Sequence, residues 1–228
     1  METFRISREF IQRKKVFIRR LSQAIERGEV DEDIIPLLNM INLLPFAYTT
    51  SSCSGRILLI DIPYTGSKKD SVKVARWHSP VKPDVVWNIL ENYEPKGIVW
   101  LKLEGMIVAV AVSSIDWASF FIKLARFLGF KDSGIRAINH NKGHVIMDFT
   151  STEKMYLPVA TKFNGLLVEK EYLYRIIDIA NNLLERTKNR MKRLLKALSV
   201  LHEIICRERI IEPSKINFKH FRECIEKK

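Results

Sequence analysis

Residues 98–112, IVWLKLEGMIVAVAV, contain two strand-like runs, Ile98–Leu103 and Met106–Val112, on either side of Glu104-Gly105. Two such runs around a short glycine-containing turn predict an antiparallel β-hairpin. A second hairpin is predicted from the strand-like residues 135–139 and 144–149, which flank a turn ending in glycine. Because these strands are expected to pair with their sequence neighbours, the sheet should be largely antiparallel or mixed.

Further strands are predicted from short apolar runs bounded by polar or turn-forming residues. They are Phe46–Thr50, Arg56–Ile62, Val72–His78, Met155–Val159 and Leu166–Val168. Helical periodicity predicts helices over Ser7–Arg27, Asp31–Leu44, Pro83–Asn92, Asp116–Leu128 and Lys170–Arg209, and a short helix after Pro213. Strands and helices alternate irregularly, which favours an α+β fold and not the doubly wound parallel sheet of Rossmann methyltransferases.

The two terminal segments carry all of the excess positive charge. The chain of 228 residues has a formal net charge of +12. Residues 1–27 hold a net of +5 and residues 170–228 a net of +7, whereas residues 28–169 are neutral. The sequence therefore predicts a single domain, 1–228, in which basic helical flanks enclose a neutral α+β core. A polyanionic partner, nucleic acid before membrane, is the physical interpretation, and a simply solvated surface is the alternative.

The composition excludes several other classes of protein. The longest apolar run, around Met106–Val112, is far shorter than the roughly 20 residues that a membrane-spanning helix needs. Since residues 1–20 show no signal-peptide core, a cytoplasmic protein without a membrane partner is expected. Cys53, Cys206 and Cys224 have no metal-binding spacing, and His140 and His144 lack a third ligand, so no metal site is predicted. The oligomeric state stays open.

The segment Thr49–Arg56, TTSSCSGR, is the strongest local feature. Short hydroxyl side chains, a thiol, a glycine and a guanidinium between two strands suit the binding of a phosphate or carboxylate, with Arg56 as a bidentate partner. An ordinary polar turn is the competing interpretation. His78, at the end of a predicted strand, is a candidate site imidazole or a surface histidine. Asp31 and Glu104 are candidate carboxylates, although a helix cap and a hairpin turn also account for them.

No glycine-rich nucleotide loop accompanies this segment. The sequence contains no GxGxxG, Walker A, HExxH or GxSxG motif. A nucleotide or S-adenosyl cofactor therefore needs an unusual site.

TTSSCSGR resembles the hallmark motif of the tRNA wybutosine-synthesising protein 3 family. Other stretches fall in the family's order: Asp31, Leu38–Asn42, Trp77-His78, Gly129–Ile135, Ser151-Thr152 and Leu157–Val159, followed by a long basic helix. The resemblance covers about residues 8–200. It implies an S-adenosylmethionine-dependent tRNA methyltransferase that methylates a ring nitrogen, N4, of the tricyclic wyosine-type base beside the anticodon of phenylalanine tRNA, at position 37. The expected partner is the anticodon stem-loop.

The resemblance and the chemistry together give each candidate residue a role. His78 is the expected general base and Asp31 its rival, because the acceptor nitrogen must lose a proton. Residues Ser51, Ser52, Cys53, Ser54, Gly55 and Arg56 are expected to bind the cofactor's carboxylate or a nucleotide phosphate. Trp77 and Tyr48 are candidates for stacking on the unpaired target base, with core packing as the alternative. Lys188, Lys192 and Lys196, at i, i+4 and i+8, are expected to contact the tRNA backbone.

Two other classes of function remain open from the sequence. The first is a non-catalytic tRNA-binding module that recruits a separate methyltransferase, which the missing glycine-rich loop favours. The second is a structural subunit whose long helix docks a partner.

Overall fold

The computed structural model describes residues 6–139, 143–208, 210 and 212–227, so His140 lies outside the described residues. The helices are α1 (Arg8–Glu26), α2 (Ile35–Leu43), α3 (Pro83–Glu91), α4 (Ile115–Phe127), α5 (Lys170–Glu208) and α6 (Phe218–Lys227). The strands are β1 (Ala47–Cys53), β2 (Arg56–Ile62), β3 (Val72–Trp77), β4 (Ile98–Glu104), β5 (Ile107–Val112), β6 (Gly134–Asn139), β7 (His144–Thr150), β8 (Lys154–Thr161) and β9 (Gly165–Leu166). No described helix combines the length and apolar character that crossing a bilayer requires.

The chain divides into two compact units that each contain a sheet. Unit 1 comprises residues 1–54, 106–152 and 189–228, and unit 2 comprises residues 55–105 and 153–188. Helix α5 contributes its first half to unit 2 and its second half to unit 1. Every described strand pair is antiparallel, which confirms the predicted α+β class. That the whole chain acts as one domain stays a prediction.

Unit 1 is built on a four-stranded sheet in the order β1-β5-β7-β6. Its core lies between this sheet and helices α2, α4 and the second half of α5. The rings of Phe46 and Trp117 stack at the centre, with centroids 3.4 Å apart. At the chain's end, Phe221 of α6 is fully buried and its ring lies 5.7 Å from that of Phe120 on α4.

Unit 2 is built on a five-stranded sheet in the order β3-β2-β4-β8-β9. One face packs against α3 and the first half of α5 through Leu59, Leu101 and Leu173. Asp61 is buried and accepts hydrogen bonds from the Tyr93 hydroxyl and from the amides of Lys96 and Gly97. These bonds hold the loop that leads into β4.

The predicted hairpin over residues 98–112 is wrong. β4 pairs with β8 in unit 2, and β5 pairs with β7 in unit 1, so the two runs belong to different sheets. A tight two-residue hairpin turn requires residues with positive φ, and Gly105 is not among the glycines that have it. Instead its amide donates to the carbonyl of Glu153, which continues the pairing with β8. The second predicted hairpin is confirmed as β6 and β7.

Helix α1 begins where the sequence predicts, at Ser7, whose hydroxyl accepts a hydrogen bond from the Phe10 amide. The helix packs on β1 through Phe10 and Phe17, whose rings contact Tyr48. From the same helix, the Lys14 ammonium donates a hydrogen bond to the carbonyl of Leu44, at the end of α2. Burial lowers the pKa of Lys14 from 10.5 to about 8.

This lysine gives a testable pH dependence. Between pH 8 and 10.5 the unfolded chain binds the Lys14 proton more tightly than the folded chain does, so stability should rise with pH across that window. For a half-buried amine we expect a gain on the order of 2 kcal/mol. The free energy of unfolding can be measured by urea titration at about pH 8 and about pH 10. It should increase between these pH values in the wild type and in Lys15→Met, but not in Lys14→Met. An identical pH dependence in all three proteins would contradict the assignment.

Candidate active site

The TTSSCSGR segment is mostly strand and not loop. We predicted a loop over residues 51–55 between two adjacent strands, but β1 extends through Cys53 and only Ser54 and Gly55 separate it from β2. The two strands also belong to different sheets, so they do not pair with each other. The division between the units falls between Ser54 and Gly55. The hydroxyl residues of the segment therefore belong to unit 1, and Arg56 belongs to unit 2.

A β-bulge re-aims the hydroxyl side chains of β1. The register with β5 shifts between Thr49 and Ser51, and the Thr50 hydroxyl donates to the carbonyl of Ala109. Thr49 is held by Asn42 of α2, whose side-chain oxygen accepts the Thr49 amide at 2.9 Å and whose amide donates to the Thr49 hydroxyl at 3.0 Å. Bulges commonly redirect side chains at sites of function.

Asp31 holds the end of the same segment. We considered Asp31 as a helix cap, but its side chain makes no cap hydrogen bond to the 3₁₀ turn Glu32–Ile34 that follows it. Its carboxylate instead accepts the amide of Ser54 at 2.9 Å. Since Ser54 is fully buried, this bond satisfies an amide that water does not reach. The next residue, Gly55, has φ +98°, a conformation that side-chain-bearing residues rarely adopt.

A pocket of about 390 Å³ in unit 1, which we call the hydroxyl pocket, opens beside this strand. Its polar wall is formed by the four residues Thr49–Ser52 and by Asp31. Helix α1 forms the opposing wall, where the Arg20 guanidinium lies 5.6 Å from the centre of the Phe17 ring. The volume falls within the roughly 300–1,000 Å³ of small-molecule sites. The pocket offers hydroxyls, two carboxylates and one guanidinium to a zwitterionic ligand, and of the carboxylates Glu29 is already paired with Arg27.

Two residues of α1 that line this pocket were not predicted from the sequence to belong to a site. The predicted helix Ser7–Arg27 contains Phe17 and Arg20, neither of which was a candidate site residue, but both line the hydroxyl pocket. At 100° per residue, positions three apart on a helix are neighbours, so the pair could have been recognised from its i, i+3 spacing. Only the register of α1 on β1, which the sequence does not give, shows that the pair faces the hydroxyls.

In unit 2, Arg56 is bound by a carboxylate. Its Nε and a terminal nitrogen lie 2.8 Å and 2.7 Å from the same oxygen of Glu104, directly opposite on β4. Both side chains are about 70% buried. The guanidinium is therefore oriented before any ligand binds, and Glu104 acts in this ion pair and not in a hairpin turn.

His78 follows β3 at the end of the sheet where Arg56 begins β2. β3 ends at Trp77, which is paired with Ile57, and the His78 Nδ1 lies 3.3 Å from the carbonyl of Gly55. A carbonyl only accepts hydrogen bonds, so this contact favours the tautomer with the proton on Nδ1. The lone pair of the neutral ring is then on Nε2, the nitrogen that can take up a proton.

The remaining candidates differ in accessibility. Tyr48 is 1% exposed and packs against Phe10 and Phe17, so it contributes to the core and not to a stacking surface. Trp77 is half-buried and packs against the core of unit 2. Cys53 is half-buried at the last position of β1 and forms no disulfide.

The lysines of α5 also differ from one another. Lys192 and Lys196 are exposed in unit 1, whereas Lys188 is half-buried in unit 2. Nearby in unit 1, Arg190 donates a hydrogen bond to the hydroxyl of Thr152 and packs over Gly129. Through these two contacts Arg190 packs α5 against the rest of unit 1.

Comparison with known proteins gives consistent matches along most of the chain. A family model described as Methyltransferase TYW3 matches residues 12–200. The tRNA(Phe) 7-((3-amino-3-carboxypropyl)-4-demethylwyosine(37)-N(4))-methyltransferase of Thermococcus sibiricus is 35% identical over 84% of this chain and 95% of that protein. The Pyrococcus furiosus protein of the same name, numbered 1, is 38% identical over 86% of this chain and 98% of its own length.

Solved structures of similar proteins have the same fold as this chain. The PH1069 protein from Pyrococcus horikoshii is 34% identical with a TM-score of 0.78, covering 85% of this chain and 97% of that one. A hypothetical protein from Aeropyrum pernix, 24% identical with a TM-score of 0.64, shares the fold. Residues beyond 200, including α6, lie outside the region that the family model matches.

The Asp31–Ser54 bond predicts which substitutions the site tolerates. Asp31→Ala leaves the buried Ser54 amide without its acceptor and should lower the free energy of unfolding by about 1–3 kcal/mol. Asp31→Asn retains a side-chain oxygen and should lose much less. Urea unfolding of both variants, with exposed Glu32→Ala as the control, measures this difference. Equal stability of Asp31→Ala and the control would show that the bond is dispensable.

Proposed function

Because the chain belongs to the TYW3 methyltransferase family, we propose that it methylates N4 of the 7-aminocarboxypropyl-demethylwyosine base at position 37 of phenylalanine tRNA. The observation that carries the proposal is the match to relatives of that name over 95% and 98% of their lengths at 35% and 38% identity. The relatives reported above are named as methyltransferases and not as recruiting modules. The basic termini suit an anticodon stem-loop as the bound portion of the tRNA.

The proposed methyl donor is S-adenosylmethionine, which supplies an electrophilic methyl group on a sulfonium. The hydroxyl pocket fits the amino-acid end of this cofactor, because Arg20 can pair with a carboxylate and Asp31 with an ammonium. The hydroxyls of Ser51 and Ser52 add hydrogen-bonding groups along the same wall. This assignment also explains how the chain can hold such a cofactor without a glycine-rich loop.

Arg56 is proposed as the binding partner of a phosphate of the tRNA, because the cofactor's carboxylate is assigned to Arg20. Its Nε donates a hydrogen bond to one oxygen of Glu104 and a terminal nitrogen forms an ion pair with the same oxygen, so Glu104 orients the guanidinium. A guanidinium already held in place loses less side-chain entropy when it binds a ligand. Glu104 is then a positioning residue for Arg56.

His78 is proposed as the general base that removes the proton from the acceptor nitrogen. The contact of its Nδ1 with the Gly55 carbonyl places the accepting lone pair on Nε2. Asp31 is the weaker candidate, because one of its oxygens is engaged by the Ser54 amide and serves the turn. Methyl transfer from a sulfonium is a direct displacement, so it requires alignment by the protein and no covalent relay through Cys53.

The function is tested by incubating the purified chain with S-adenosylmethionine and phenylalanine tRNA that carries the demethylwyosine-type base. We expect the mass of the modified nucleoside to increase by one methyl group. Transcribed tRNA with guanosine at position 37 is the matched control and should stay unmethylated. Binding of both tRNAs without any methyl transfer would identify a non-catalytic module instead.

Two variants separate the proposed roles. His78→Ala removes the general base and should slow single-turnover transfer by about 10²–10⁴-fold while tRNA affinity is kept. Arg56→Ala removes a charge-assisted contact worth about 1.5–3 kcal/mol, which corresponds to about 10- to 150-fold weaker binding of the anion-bearing ligand. Cys53→Ser is the control and should stay active. Full activity of His78→Ala at neutral pH would assign the base elsewhere.

The exposed lysines of α5 give a prediction for tRNA binding. Lys192→Ala with Lys196→Ala should weaken binding and flatten its salt dependence, with the log–log slope falling by roughly 0.7–0.9 for each phosphate that is no longer neutralised. The exposed pair Lys215→Ala and Lys219→Ala, which lies beyond the family match, is the control. Filter binding across a salt series measures both. An unchanged slope in the first variant would mean that these lysines are solvated surface.

A further inference from the structure

The outer face of the sheet in unit 2 carries a cluster of aromatic rings, of which three are exposed and one, Trp100, is half-buried. Trp100 of β4 and Tyr156 of β8 project from neighbouring strands, and Tyr64 and Phe163 follow β2 and β8 at the edge. Phe163 is 76% exposed, and Tyr64 and Tyr156 are each 53% exposed. The rings of Tyr64 and Phe163 lie parallel within 26°, with centroids 5.4 Å apart. We call these four residues the aromatic platform.

Strand register shows that this face is opposite to the core. Leu59, Leu101 and Leu157 point towards α3 and α5 in the core of unit 2. Side chains alternate along a strand, so Lys102 and Tyr156, which are paired across β4 and β8, point outwards. Trp100 lies on the same side, two residues before Lys102. The α-helices that cover the inner face therefore do not cover the platform.

A lysine is positioned among the rings. The Lys102 Nζ lies 5.9 Å from the centre of the Trp100 ring and 5.3 Å from that of Tyr156. Tyr64, Trp100, Lys102 and Tyr156 line a shallow pocket of about 430 Å³. At the edge, Lys162 makes a similar contact with Phe163.

The charge on this face is positive. Leu58 is paired with Arg76 on one side and Lys102 on the other, and Ile60 is paired with Lys73, so these cations share the outer face. The one acidic residue among the outward positions of the described central strands β2 and β4 is Glu104, which is bound to Arg56. Flat rings interleaved with cations match a ligand that has flat rings interleaved with anions, which is a single-stranded nucleic acid.

The platform is continuous with a residue of the candidate site. Arg56 and Glu104 lie on the same outer face, at the opposite end of β2 and β4. Ile60, which is paired with Trp100, is four positions after Arg56 on β2, so the two ends are about 13 Å apart at roughly 3.3 Å per residue. One extended strand of nucleic acid can contact both ends.

We propose that the aromatic platform binds unpaired bases of single-stranded RNA by stacking, with Lys102 contacting the phosphate between them. The inference rests on the proposed function for the source of that RNA, which is the loop that flanks the methylated base. The platform then holds the nucleotides next to the target base while the site acts on that base.

The test uses the full chain and a seven-nucleotide oligoadenylate without any modified base, so that binding is measured apart from methyl transfer. Trp100→Ala with Tyr156→Ala should weaken binding of this RNA by at least about tenfold, since each stacked base contributes strongly to such complexes. Trp100→Phe keeps a ring and should retain most of the affinity. Tyr172→Ala is the matched control, because Tyr172 is 48% exposed on α5, on the other side of the sheet.

Each outcome decides between the proposals. Loss of RNA binding in the double variant, with its unfolding transition and S-adenosylmethionine binding unchanged, supports the platform. Unchanged RNA binding overturns it, and loss of cofactor binding alone would reassign the pocket to the adenosine group. If the wild type binds the oligonucleotide through these rings but methylates no tRNA, the platform stands and the proposed function fails.

Discussion

The buried amide of Ser54 needs a hydrogen-bond acceptor, and the carboxylate of Asp31 supplies it at 2.9 Å. At this position β1 leaves its sheet, and the chain passes through Gly55, at φ +98°, into a strand of another sheet. The segment that begins with Asp31 also carries Asn42, which holds Thr49. Both ends of the polar part of β1 are thus fixed by one short stretch of chain, and the hydroxyls between them are presented to the pocket by the bulge at Thr50.

Local signals in the sequence predicted much of the fold. The cap at Ser7 and the helix without glycine or proline from Lys170 are determined by neighbouring residues, and both occur within a residue or two of the expected positions. The pairing of β4 and β5 was not predictable in this way, because a strand-like run does not specify its partner. Gly105 resembled a turn residue, but the amide pairs with Glu153, about fifty residues away.

The candidate site shows the same division. Cys53 and Arg56 were recognisable from one motif and Asp31 from its place before that motif, while the absence of a glycine-rich loop pointed to an unusual cofactor site. The ion pair of Arg56 with Glu104, the orientation of His78 towards Gly55 and the position of Arg20 on the pocket wall all depend on register between distant segments. No contiguous motif predicts the aromatic platform either, because Trp100 and Tyr156 become neighbours only when β4 pairs with β8. Most of the candidate binding residues in this chain are therefore far apart in sequence and become neighbours through strand pairing.

The lowered pKa of Lys14 has a consequence for covalent chemistry. Near pH 8 about half of its side chains are uncharged amines, whereas an ordinary lysine is almost wholly protonated at that pH. Only the uncharged amine attacks activated esters or cyanate, so Lys14 is chemically activated relative to an ordinary surface lysine. Acylation there would break the contact with the Leu44 carbonyl and place a bulky group between α1 and the end of α2. An amine-reactive label that reached Lys14 would therefore disturb the packing of α1, the helix whose residues Phe17 and Arg20 line the hydroxyl pocket.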